Sequence, residues 1–149
     1  MSYHSWTTDG YGICVDDIET TAEKLLKLAA IKPEVLEDVR KYLDWRFEED
    51  GGYNDEDLTI DDFDDLEGDY CERGVAYVLH QVIDEIDVVF ADDYDGVPYL
   101  LYCPKYPWFI KETEKNLTME DVKNIFNKYI SVLTDKRIIF DYYSVENGG

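Results

Sequence analysis

The sequence predicts an α+β fold, a single domain over 1–149 in which a small, mainly antiparallel β-sheet is covered by four to five α-helices. Three observations carry that expectation. Tyr11, Ile13 and Val15 alternate with Gly12 and Cys14, the period-two pattern of a strand with one buried face. Leu36, Val39, Leu43 and Phe47 form one helical stripe behind Pro33 and ahead of Gly51-Gly52, so this helix has a start, an apolar face and a stop. Asp95-Gly96 separates the apolar runs 88–91 and 97–103, and Asp-Gly in that setting is a strong hairpin signal.

Taken in order, the elements begin with a strand at 10–16. Thr20, three residues before Glu23, has capping-box spacing, and Leu25, Leu26, Leu28 and Ala29 continue a helix to near Lys32. The helix opened by Pro33 follows. Two later starts share one construction, Thr59 with Asp62 and Thr118 with Asp121, each preceded by a leucine placed to staple onto Phe63 or Val122. The second of these predicts a helix over 119–133 that buries Val122, Ile125, Phe126, Tyr129 and Ile130. Asp69 and Glu72 are placed to cap a helix carrying Val75, Val78, Leu79, Val82 and Ile86, with a strand as the competitor because valine is β-branched. Pro98 places its strand at an edge, or stands near the strand's start. A last strand is expected over 137–143, with Ile138, Phe140 and Tyr142 on one face.

Charge bounds the function. The chain carries 35 acidic and 14 basic side chains, a formal charge of −21. Its 45% hydrophobic and 15% aromatic content is too high for a disordered acidic tail, so the charge must sit on a folded surface. Such a surface repels nucleic acid and anionic membrane and favours a protein partner with a basic face. No signal-peptide pattern or 18-residue apolar run is present, which leads to the expectation of a cytoplasmic protein. Cys14, Cys71 and Cys103 are odd in number and far apart, as reduced thiols are.

The charge is also concentrated. Residues 44–72 hold fourteen acidic side chains and one basic one, Arg46. In the short helix expected after Thr59, Ile60, Phe63 and Leu66 share one face, which leaves Asp61, Asp62, Asp64 and Asp65 on the other. At an α-helical rise that is roughly one charge per 1.9 Å of axis, against about 1.7 Å for duplex DNA. Crowding Asp61 against Asp65 costs a few tenths of a kcal/mol (~0.2–0.5), so helix stability does not account for it. Glu48, Glu49, Asp50, Asp55, Glu56 and Asp57 flank the cluster as steering charges, and Trp45 and Tyr53 are the candidate aromatic anchors. A second acidic group, Asp84, Glu85, Asp87, Asp92, Asp93 and Asp95, ends at the hairpin tip, whereas 105–137 is slightly basic. The plainer alternative for both groups is solvated loops that aid solubility.

Catalytic and metal patterns are sparse. EF-hand spacing fails: with Gly96 at the sixth loop position the first is Ala91, and with Gly68 there it is Phe63. An irregular Ca²⁺ or Mg²⁺ site at Asp92, Asp93 and Asp95 is the remaining metal candidate. His80 and Asp84, four apart on a helix, could pair as an oriented imidazole does, but no nucleophile motif points to them. No glycine-rich phosphate loop or dinucleotide fingerprint occurs. The expectation is therefore a non-enzyme with no cofactor, no catalytic residue and no metal-ligand set.

In its size, its acidic segment 44–72 and its want of catalytic motifs, the chain resembles phage-encoded DNA-mimic inhibitors, anti-CRISPR proteins among them. The resemblance implies occupation of the basic groove of a nuclease or CRISPR effector, in the bacterial cytoplasm and without a cofactor. An immunity protein that neutralises a basic toxin nuclease follows the same electrostatic logic. A small acidic metal-binding domain is the third class.

Overall fold

The computed structural model describes residues 5–68, 72–103 and 117–148. A four-stranded antiparallel sheet, in the order β2-β3-β1-β4, carries four α-helices on one face, as an α+β protein does. The strands are β1 (Ser5–Cys14), β2 (Val88–Asp92), β3 (Pro98–Tyr102) and β4 (Asp141–Gly148). The helices are α1 (Ala22–Ala29), α2 (Pro33–Arg46), α3 (Gly74–Val82) and α4 (Met119–Leu133). One core runs from Ile13 to Ile138 and draws on every helix, with Leu25, Leu43, Leu79 and Phe126 wholly enclosed.

The hairpin is where Asp95-Gly96 places it. Gly96 has φ 80°, and β2 and β3 pair from Asp92↔Pro98 to Val88↔Tyr102. Pro98 sits at the start of a strand that is flanked on both sides, so its missing N–H costs the ladder little. Asp93 closes the turn, its Oδ1 accepting from the backbone N–H groups of Asp95 and Val97.

β1 is longer than the period-two pattern indicates. It begins at Ser5 because β4 pairs along its whole length, from Ser5↔Gly148 to Gly12↔Asp141. Its far end comes at Cys14, where 15–17 turn into a single 3₁₀ turn. That turn also displaces the last strand. In this register Ile138 would need Val15 as its partner, which has already left the sheet, so β4 starts at Asp141 and not at Arg137. Ile138 is buried and Phe140 packs on the core from the preceding segment, while Tyr142 is 52% exposed and lays an edge on Tyr11 at 5.1 Å.

Capping follows the sequence with one shift. Thr118 accepts from the Asp121 N–H and Asp121 accepts from the Thr118 N–H, the reciprocal box that starts α4. The cap of α1 is Thr21, which accepts from the Lys24 N–H, one residue beyond Thr20; the Thr20 hydroxyl is buried with no partner among the described residues. α1 also ends at Ala29, earlier than Lys32. The segment with Val78 and Leu79 is helical, since both bury on one face together with Val82. Asp69 lies outside the described residues, and Glu72 does not cap α3 but turns inward.

The sheet curls. β2 and β4, at opposite ends of the strand order, come into contact, enclosing Ala91, Leu101 and Val145 on the face away from the helices. Gly12 permits this: a Cβ there would lie 1.9 Å from the Leu100 carbonyl oxygen. Among the described residues no helix is long and apolar enough to cross a membrane.

Candidate protein-binding face

α2 delivers the chain into the acidic segment. The helix ends at Arg46, a 3₁₀ turn over Glu48–Asp50 follows, and Gly51, at φ 82°, reverses the chain. Further single turns form at Asp55–Asp57 and Ile60–Phe63. Phe63 and Leu66 are buried, and Leu58 and Ile60 pack on the core beside them. The apolar residues thus hold the segment by one edge, as their spacing predicts.

The local geometry differs from the expected α-helix. Only Ile60–Phe63 is helical, as one 3₁₀ turn, and Asp64 and Asp65 lie in the turn beyond it. At a rise of about 2.0 Å per residue the four aspartates are spaced more widely than α-helical geometry gives. Two of them are also engaged. The Asp62 carboxylate accepts from the backbone N–H and hydroxyl of Thr59, and Asp65 is bridged by Arg46 at 2.6 Å. The match to DNA charge spacing does not survive. Asp61 and Asp64 remain as outward carboxylates.

A larger surface replaces it. Among the described residues Glu48, Glu49, Asp50, Glu56, Asp57, Asp61 and Asp64 have no basic partner, and all are exposed. Asp55 is held by a forked contact from Arg40, at 3.2 and 3.3 Å. Arg40 also donates to the Tyr53 hydroxyl at 3.1 Å, and these two bonds push its already high pKa further up. Tyr53, half-buried against Phe47, is therefore a strut of the segment more than a free anchor.

Trp45 is the opposite case. It is 70% exposed, the most exposed large hydrophobic side chain among the described residues, with its ring 6.1 Å from that of Tyr42. Tyr42, Trp45, Arg46, Glu48, Glu49 and Asp65 line an open recess of about 490 Å³. Burial raises the pKa of the Tyr42 phenol. The sequence marks Trp45 but not Tyr42, whose place follows only from its position one turn earlier on α2.

Elsewhere, the expected His80–Asp84 pair does not form. α3 stops at Val82 and Ile83 is extended, so Asp84 leaves the helix and faces Lys32 at 3.6 Å. His80 instead meets Glu72, at 3.1 Å. Among the described residues no three His, Cys, Asp or Glu side chains group as a metal site, Asp92, Asp93 and Asp95 included. Cys14 and Cys103 form no disulfide among the described residues, and burial raises the pKa of Cys14; Cys71 lies outside the described residues. No family model, curated protein or solved structure matches the chain.

Proposed function

We propose that the chain is an inhibitor which binds proteins through the face formed by the end of α2 and residues 48–65, and that its partner presents a basic nucleic-acid-binding groove, as a nuclease or CRISPR effector does. The supporting observation is the exposed Trp45 in a recess that Glu48 and Glu49 also line, with further carboxylates at Asp50, Glu56, Asp57, Asp61 and Asp64. An aromatic ring in a recess supplies desolvated contact area, while the surrounding charges steer a basic partner and pair with its Lys or Arg side chains. Nucleic acid and partner-bound inhibitor then compete for one groove. Mimicry here lies in the field of the face, not in a helical row of aspartates at DNA spacing.

The test is capture of partners from bacterial lysate at low and high salt, followed by measurement of the captured protein's DNA or RNA affinity with and without this chain. Mutual exclusion, with association slowing steeply as salt rises, supports the reading. Simultaneous binding of nucleic acid and this chain, without mutual weakening, overturns it.

A further inference from the structure

A second recess lies where the β2–β3 turn approaches β4, on the side of the sheet away from the helical core. Its volume is about 250 Å³, and Tyr94, Tyr99, Tyr143, Asp93 and Asp95 supply its chemistry. The Tyr99 and Tyr143 rings come from strands on either side of β1 and stand 5.2 Å apart, tilted by 52°. They share one face of the sheet, Tyr99 opposite Cys14 and Tyr143 opposite Gly10. Tyr94 at the turn is 53% exposed.

Carboxylates alone at a turn would only be solvated. Here they rim a recess walled by phenol rings, and among the described residues its lining contains no basic side chain. Burial first, then the Cys14 thiol and Asp93 at Tyr99, and Asp17, the Cys14 thiol and Asp141 at Tyr143, raise both phenol pKa values. The rings, neutral as phenols ordinarily are at about pH 7, present negative faces. Aromatic faces beside uncompensated carboxylates complement one kind of group, a cation with a flat, weakly hydrated surface.

We propose that this recess binds an arginine side chain of a basic protein segment, its guanidinium stacked on the tyrosine rings and paired with Asp95. Asp93 is committed to closing the turn and serves as fixed negative charge. The site is separate from the Trp45 face, which belongs to the helical side of the molecule, so it does not depend on what that face binds. With both occupied, one copy of the chain holds two basic segments.

The experiment is a titration of the full chain with a short arginine-containing peptide and its citrulline counterpart, which keeps the shape and lacks the charge, read by NMR of the tyrosine rings. Saturable shifts at Tyr94, Tyr99 and Tyr143, with binding about tenfold weaker for citrulline, are expected. Tyr99→Leu should abolish them. Asp95→Asn, which touches only an exposed carboxylate, should weaken binding about threefold or more and serves if Tyr99→Leu fails to fold. Asp61→Asn with Asp64→Asn should leave these shifts unchanged. Equal binding of the citrulline peptide, or shifts confined to residues 44–67, or no change in the Asp95→Asn variant, overturns the assignment.

Discussion

Nδ1 of His80 lies 3.1 Å from Oε1 of Glu72, a side chain with no exposed surface. The second oxygen, Oε2, has no hydrogen-bond partner among the described residues. His80 is thus the hydrogen-bond partner of a carboxyl group lodged at the foot of α3. Removing the ring by His80→Ala leaves that group buried without this partner, and should cost about 2–3 kcal/mol. Glu72→Gln keeps the shape and a group that can accept from the ring, and should cost only about 1 kcal/mol. Urea unfolding of both variants checks the order. Equal costs would show that His80 contributes packing and not the pairing of Glu72.

Tyr129 of α4 donates to Oε1 of Glu85, which also receives Lys128 at 3.2 Å. Burial first, then the Glu85 hydrogen bond and the charges of Glu85 and Asp84, raise the pKa of this phenol well above the ordinary tyrosine range. A raised value means that the folded chain holds the proton more tightly than the unfolded one. The resulting stabilisation is complete below the unfolded value of about 10 and is lost as pH climbs through the folded one. Tyr129→Phe should be less stable at neutral pH by about 1–2 kcal/mol, and its stability should fall less steeply above about pH 10. Chemical unfolding at neutral and alkaline pH measures both effects. Parallel pH profiles for the two proteins would contradict them.

Gly12 governs how β1 meets β3. A methyl group there would sit 1.9 Å from the Leu100 carbonyl oxygen and 2.9 Å from the Leu101 Cα, both backbone atoms that a rotamer change cannot clear. Gly12→Ala should therefore cost about 3 kcal/mol or more, as overpacking against backbone does. It should also disturb the Tyr99–Tyr143 pair, a change that near-ultraviolet circular dichroism would read. Gly51→Ala is a useful contrast. Nothing lies near its added Cβ, and its cost should be the smaller one of a left-handed φ, about 1 kcal/mol.

Local signals in the sequence account for most of the elements. Pro33 presets φ at the first turn of its helix, the Thr118–Asp121 box satisfies two backbone N–H groups and Gly96 takes the positive φ of the turn, so their effect does not depend on the rest of the chain. The errors arise where a distant partner decides. Ser5 to Asp9 carry no apolar alternation and are strand because β4 pairs with them, and the start of β4 moves from Arg137 to Asp141 because β1 bends away at Val15. His80 has Asp84 four residues on in sequence, but the helix ends first and the buried Glu72 takes the ring. Trp45 and the flanking acids of the candidate face are legible as an exposed, charged stretch. Arg40 and Arg46, which quench Asp55 and Asp65 from α2, require the three-dimensional path of the segment.

That path divides the acidic side chains into two groups with different expected behaviour. Asp62 and Asp65 hold the segment, one on Thr59 and the other on Arg46. Asp61 and Asp64 are exposed and have no basic partner among the described residues. Asp62→Ala should lower stability by about 1 kcal/mol, the usual cost of losing a capping contact. Asp61→Asn with Asp64→Asn should leave stability within about 0.5 kcal/mol of the parent, or raise it slightly as like-charge repulsion is relieved. Toward a basic partner, the same double change should slow association, most at low salt, with little effect on dissociation. Trp45→Ala should do the reverse, speeding dissociation while association keeps its salt dependence. Thermal unfolding separates the first two variants, and stopped-flow binding at two ionic strengths separates the last two. A Trp45→Ala protein that dissociates as slowly as the parent would remove the recess from the interface and leave the carboxylates as a solvated surface.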